Sequence, residues 1–179
     1  DQVAALVKYL ASPSQVPMPG EKPNPPAKVS QVPPAAEGVT RIEGESLVEA
    51  YQPERGEGRA QGMGNFADAW SGNRQLWWVG GKPGDVYTLK LDGVEPGTKE
   101  LTIFPTTARD YAQVKFAING QLRDSDFYSE QVRQGEPLRF ENINISPTEP
   151  LQIDIHITGA NPSALPRYMV GIDRIEVSK

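Results

Sequence analysis

Chemistry in this chain has to come from carboxylates, amides and aromatic rings. It holds one histidine, His156, and no cysteine in 179 residues. The lack of cysteine excludes disulfides, thiolate metal sites, a cysteine nucleophile and covalent haem attachment within the chain. No His/Cys cluster offers a zinc site. A Ser-His-Asp triad would have to use His156, and no Gly-x-Ser-x-Gly turn accompanies it. Paired carboxylates are more plentiful: Glu43 with Glu45, Asp124 with Asp126, and Glu57 in a glycine-rich stretch. Glycoside hydrolysis needs two carboxyl groups held across a cleft. Sequence gives no separation between them, so surface charge is the default and a hydrolase stays open as an alternative.

Glu43 and Glu45 suggest a second chemistry. They lie two apart on the first expected strand, so they project from one face. Asp173 stands near the start of the last strand. Where first and last strands are neighbours, three carboxylates converge with backbone carbonyls into an oxygen cage that suits Ca²⁺. Exposed strand charge is the alternative. The aromatic residues are concentrated too. Trp70, Trp77 and Trp78 fall within nine positions, followed by Tyr111, Phe127 and Tyr128. Adjacent Trp77 and Trp78 point to opposite faces of an extended strand, so one of them enters the core. Flat rings outside the core can stack on sugars. Gly56–Gly64 superficially resembles a phosphate loop, but it lacks the Gly-Lys-Ser/Thr ending and no amphipathic helix follows. It reads as a solvated loop.

The elements that must position these groups fall into three segments. Residues 1–11 read as one amphipathic helix, with Val3, Leu6, Val7 and Leu10 striping one face and Pro13 marking its end. Residues 12–38 form a linker whose eight prolines favour extended polyproline-type backbone. From Val39 the period changes to two. Tyr87, Leu89 and Leu91 alternate with polar residues, as do Leu101 and Ile103, Val114, Phe116 and Ile118, then Leu151, Ile153, Ile155 and Ile157, and finally Ile175 and Val177. Lys82–Asp85, Glu95–Gly97 and Asn119–Gly120 separate the runs, the last as a tight hairpin signal. Short half-buried strands without helices between them predict two antiparallel sheets packed face to face, an all-β jelly-roll sandwich of about eight strands over residues 39–179.

Composition agrees. Hydrophobic residues make up 37%, with 17 glycines and 17 prolines, which suits a turn-rich fold with an extended appendage. The net charge of −5 argues against nucleic acid and against an anionic membrane surface. No apolar run reaches the ~18 residues that would span a bilayer, and no signal peptide is visible.

Several phrases resemble known families. Ile42-Glu43-Gly44-Glu45 is similar to the Ile-Glu-Ala-Glu opening of carbohydrate-binding module families six and thirty-five, and Gly171-Ile172-Asp173-Arg174-Ile175-Glu176-Val177 to their closing strand. Those families are galactose-binding-like jelly rolls with a structural calcium on first- and last-strand carboxylates and sugar-binding loops. The resemblance implies calcium at Glu43, Glu45 and Asp173. It treats Gly44 in place of the usual alanine as harmless. Residue type and loop position single out Trp70, Trp78, Tyr111 and Tyr168 as a sugar platform, with Asp110, Asn161 and Arg167 hydrogen-bonding hydroxyls.

Further phrases, including Trp77-Trp78, Ala108-Arg109-Asp110-Tyr111 and Tyr168 through Asp173, resemble accessory sandwich domains of large secreted bacterial proteins. Planctomycete-type multidomain dehydrogenases and difructose-anhydride-synthase-type hydrolases are the examples. The first ten residues are similar to the last helix of a cytochrome c domain, without a haem motif. The resemblance implies a non-catalytic, glycan-binding accessory module of a larger periplasmic or extracellular protein, next to neighbouring domains. A structural or interaction module that binds no sugar is the rival.

Overall fold

The computed structural model describes residues 31–179, so the helix and most of the linker expected before them lie outside the described residues. Eleven strands follow: β1 (Thr40–Glu43), β2 (Glu57–Gly62), β3 (Arg74–Val79), β4 (Val86–Leu91), β5 (Gly97–Thr107), β6 (Ala112–Ile118), β7 (Gln121–Asp126), β8 (Arg133–Gln134), β9 (Leu138–Ile145), β10 (Leu151–Ala160) and β11 (Val170–Ser178). They form a seven-stranded and a four-stranded sheet, with every strand pairing antiparallel. This is the jelly-roll sandwich the alternating runs predict. The count exceeds eight because short pieces such as the two-residue β8 pair along the rim.

The small sheet runs β4-β10-β6-β7. Its inner face carries Tyr87, Leu89 and Leu91, then Ile153, Ile155 and Ile157, then Val114, Phe116 and Ile118, all buried. Their alternation with Thr88, Lys90, Asp154 and Lys115 is the two-residue period of a half-wetted sheet. His156 sits on the outer face, half-buried. Asn119 and Gly120 close the β6–β7 hairpin with φ of 51° and 79°, the positive pair that a two-residue hairpin turn requires.

The large sheet runs β2-β3-β11-β5, with β8 and β9 both on β5. It lays Leu76, Trp78, Leu101, Ile103, Phe140, Ile143 and Ile172 against the small sheet in one continuous core. The glycine-rich segment expected to be a loop is largely strand: Glu57–Gly62 pairs along β3.

β11 organises the site. One edge is covered by two strands in succession. β3 pairs with Val170–Ile172, and β1 pairs with Arg174–Val177. Asp173 falls at the seam, paired with neither. On the opposite edge the register with β5 also shifts between Ile172 and Arg174. A residue bulged out of both ladders is free to turn its side chain toward the place where β1 ends and β3 begins.

Candidate carboxylate site and loop cluster

β1 stops at Glu43, and a single 3₁₀ turn, Gly44–Leu47, follows. Glu43 and Glu45 are therefore brought near one another by a turn and not by the pleat of one strand. The turn seats closely because Gly44 lies on the backbone of β11, where a Cβ would come 2.2 Å from the Ile172 carbonyl oxygen. Opposite stands a second short turn, Ser71–Asn73, leading into β3. Gly72 and Asn73 hold positive φ there, 58° and 55°. A Cβ on Gly72 would sit 3.3 Å from Glu45 Oε1, so the bare glycine leaves room for the carboxylate.

Ser71 ties the acids together. Its amide donates to Asp173 Oδ1 at 2.8 Å, and its hydroxyl donates to Glu43 Oε1 at 2.8 Å. Asp173 Oδ2 accepts from Gln134 Nε2 at 3.1 Å and from Arg174 Nη1 at 2.5 Å. Asp173 is wholly buried, and burial pushes its carboxyl up to about 6 against the pull of Arg174. Burial, and then the nearby Glu43 charge, also raise the Glu45 carboxyl above the ordinary glutamate value.

The second oxygens of both glutamates, Glu43 Oε2 and Glu45 Oε2, are sealed from solvent and accept no hydrogen bond. A buried acceptor left unpaired costs roughly 1–3 kcal/mol, and more when it is charged. The Glu43 charge also acts on Glu45, so the two unpaired oxygens make an electronegative locality of the kind a hard cation satisfies. The three-carboxylate cage expected from sequence is not formed. Among the described residues no group of three His, Cys, Asp or Glu side chains converges as a metal set. Asp173 is engaged by Ser71, Gln134 and Arg174, so it braces the Ser71 turn while Glu43 and Glu45 present open oxygens.

Most of the expected aromatic platform is core. Trp70 is 2% exposed and donates its indole N–H to Thr106 Oγ1 at 2.8 Å. Trp78 is fully buried, edge-on to Tyr87, with its N–H on the Arg55 carbonyl at 2.9 Å. Tyr111 is buried too, its hydroxyl accepting from Gln75 Nε2 at 3.0 Å, and burial raises its phenol. These three rings present no face to a ligand. Trp77, on the other face of the strand and packed against the margin of the core, is the half-buried member of the pair. The phase was legible, because Leu76 and Trp78 fall on one face and bracket it.

The remaining candidates gather at one end of the sandwich. Leu165 N donates to the Arg109 carbonyl at 2.8 Å and Met169 N to the Asp110 carbonyl at 3.2 Å, stitching the β10–β11 loop to the β5–β6 loop. Arg167 lies exposed with its guanidinium 3.7 Å from the Asp110 carboxylate. Tyr168 is half-buried beside it in a left-handed conformation, φ 55°. A tyrosine pays strain for that backbone. Asn161 is engaged: its amide donates to Asp126 Oδ2 at 2.7 Å and its oxygen accepts from Ser163 N at 2.9 Å. Ser71, Gln75, Gln134 and Arg174 carry the polar architecture, and sequence reasoning gave none of them a role. The Ser-Gly-Asn triplet at 71–73, a run of turn residues, is the one signal that could have found any of them.

No protein-family model matches this sequence, and no curated protein matches it. Among solved structures, a Paenibacillus xanthan lyase is similar at TM-score 0.58 and 19% identity, covering 92% of this chain and 14% of that one. The CBM36-1 domain of a multidomain xylanase from the hindgut metagenome of Trinervitermes trinervoides is similar at TM-score 0.46 and 16% identity, over 79% of this chain and 97% of that domain. A family 35 carbohydrate binding module from Clostridium thermocellum stands at TM-score 0.46 and 16% identity, over 78% and 98%. The chain thus spans a small part of the xanthan lyase, and that likeness is one of fold.

Proposed function

We propose that this chain is a non-catalytic carbohydrate-binding module of a larger exported protein, and that it holds a structural calcium ion. Glycan binds at the loop end, where Asp110 and Arg167 offer acceptor and donor groups beside the Tyr168 ring. Calcium is held by the carboxylates of Glu43 and Glu45, with Asp173 bracing the Ser71 turn against them. The observation that carries the reading is that loop end. Two loops joined by backbone hydrogen bonds present a loosely paired aspartate and arginine next to a strained tyrosine. Strain of that kind persists where the surroundings hold it for a purpose. The resemblance of the opening and closing strands to families six and thirty-five supports the same reading.

The test separates the two parts. Calcium titration by calorimetry should give one site in the wild type and none in Glu43→Gln/Glu45→Gln. Glycan binding should be lost in Arg167→Ala and Tyr168→Ala with the fold intact. Heat on calcium addition without glycan binding in any assay would leave the calcium site and remove the carbohydrate reading.

A second reading has its own support. Burial of Trp70, Trp78 and Tyr111 leaves no broad aromatic platform, which favours a structural module that packs against a neighbouring domain. The absence of glycan binding by the wild type would favour it, whereas binding that survives the Arg167 and Tyr168 substitutions would move the glycan site elsewhere on the module.

A further inference from the structure

Among the described residues, the end of the proline-rich segment meets β1 through one side-chain hydrogen bond. Pro33 and Pro34 offer no N–H, so this stretch cannot add to a sheet ladder, and its carbonyls are its only hydrogen-bonding handles. Arg41 Nη1 donates to the Pro33 carbonyl at 2.8 Å. The same guanidinium binds Glu176 Oε1 through Nε at 3.0 Å and Nη2 at 2.8 Å. Arg41 and Glu176 are partners across β1 and β11, so the pair is set by sheet register. The Arg41 side chain is 14% exposed, well covered for a surface cation.

The acceptor is braced from its other side. Arg174 Nε donates to the same Glu176 oxygen at 2.9 Å, and the Arg174 guanidinium lies 3.6 Å from the centre of the Phe104 ring. Glu176 is thus gripped by two guanidinium groups, and against the opposing effect of burial Arg174 and Arg41 hold its carboxyl below the ordinary glutamate value. Between Pro33 and β1 the chain turns once: Val39 N donates to the Ala36 carbonyl at 3.1 Å and Gly38 takes φ 78°. Val32 and Ala35 are half-buried on the way.

We propose that Pro33, Arg41 and Glu176 form a latch that docks the end of the proline-rich segment on β1 and β11 and fixes the direction in which the chain enters the sandwich. A planar guanidinium is suited to this, because its donors diverge in a fixed fork and serve a carboxylate and a carbonyl at once. Latched at Pro33, the described residues 33–39 lead into β1 along a fixed path. The latch needs neither cation nor glycan.

The absence of cysteine makes the test direct. Gln31→Cys in the full chain, labelled with a nitroxide, reports motion two residues from the latch by electron paramagnetic resonance. The wild-type background should give a restricted spectrum. Arg41→Met should shorten the label's correlation time several-fold, and Arg41→Lys should do nearly the same, because a single ammonium cannot hold both partners. A label placed at Ser163, at the far end, should be unaffected. Fast, isotropic motion of the Gln31→Cys label in the wild-type background would overturn the latch whatever the variants do. So would equal spectra in wild type and Arg41→Met.

Discussion

Gly44 lies against Ile172 so closely that a Cβ would sit 2.2 Å from the Ile172 carbonyl oxygen and 2.9 Å from that of Asp173. The obstacle is backbone of the central strand, which cannot swing aside as a side chain can. Gly44→Ala should therefore push the Gly44–Leu47 turn off β11 and cost roughly 1–3 kcal/mol, as overpacking in a well-packed core does. Chemical denaturation of the two proteins measures it. The resemblance treats glycine in place of the family's alanine here as harmless. In this chain the turn packs too tightly for alanine.

Calcium should stabilise the protein by roughly 2.7 kcal/mol once free ion exceeds its Kd about a hundredfold. Glu43→Gln/Glu45→Gln should lose that increment, and it should be more stable than the wild type in chelator, since the substitution removes two neighbouring half-buried charges whose Oε2 atoms have no partner. Thermal melts with calcium and with chelator read both effects.

Acidity should move the cation-free protein in an unusual direction. Asp173 titrates at about 6 in the fold against an ordinary 3.8, and Glu45 is raised as well. Between those limits the folded state binds more protons than the unfolded one, so these two groups favour folding at low pH and lose that contribution as pH rises from about 4 to about 6. Asp68, Asp126 and Glu176 are held low and act oppositely, losing their stabilisation only as pH falls below the ordinary carboxylate range. In chelator, stability should decline from pH 4 to 6. Calcium should offset the decline increasingly as pH rises, because its ligands must be ionised. Melting temperatures across pH in the two conditions check this.

Gln75 is buried at the centre of a polar network. Its amide donates to Tyr111 and to Gln61 at 3.0 and 2.6 Å, and its oxygen accepts from the Thr106 hydroxyl, which itself accepts from Trp70. Gln75→Leu would take the acceptor from the Thr106 O–H, which keeps its bond from Trp70, and the donor from the Tyr111 oxygen, at roughly 1–3 kcal/mol each. The loss should exceed that of Thr106→Ala alone, and denaturant midpoints compare the two.

Trp78→Ala and Tyr168→Ala should behave differently. Truncating a fully buried tryptophan costs about 3–5 kcal/mol. Removing half-buried Tyr168, which packs only on the margin of the core, should lower the melting temperature far less, while abolishing glycan binding.

The fold was legible wherever one face is buried and the other wet. β4, β6 and β10 alternate without interruption, and the Asn119–Gly120 turn is spelled out. β9 was not, because Asn142 takes φ 55° and breaks the period between Phe140 and Ile143. β2 was hidden for another reason: it is an edge strand with one buried residue, Gly58, so its glycine-rich text has no apolar face to show. At the candidate site the glutamates were legible from chemistry alone. The partners of Asp173 were not, because Ser71 lies 102 residues away and Gln134 lies 39. The seam between β1 and β3 along β11 brings Ser71 to Asp173, and β8, paired on β5, brings Gln134. Trp78 was misplaced on residue type, where strand phase with Leu76 would have put it inside.

The most direct test of the central claim is a glycan-array screen of the full chain, run with calcium and repeated in chelator. The account predicts selective binding to a restricted set of glycans, weakened by chelator and restored by calcium. Silence across a broad array in both conditions would contradict it.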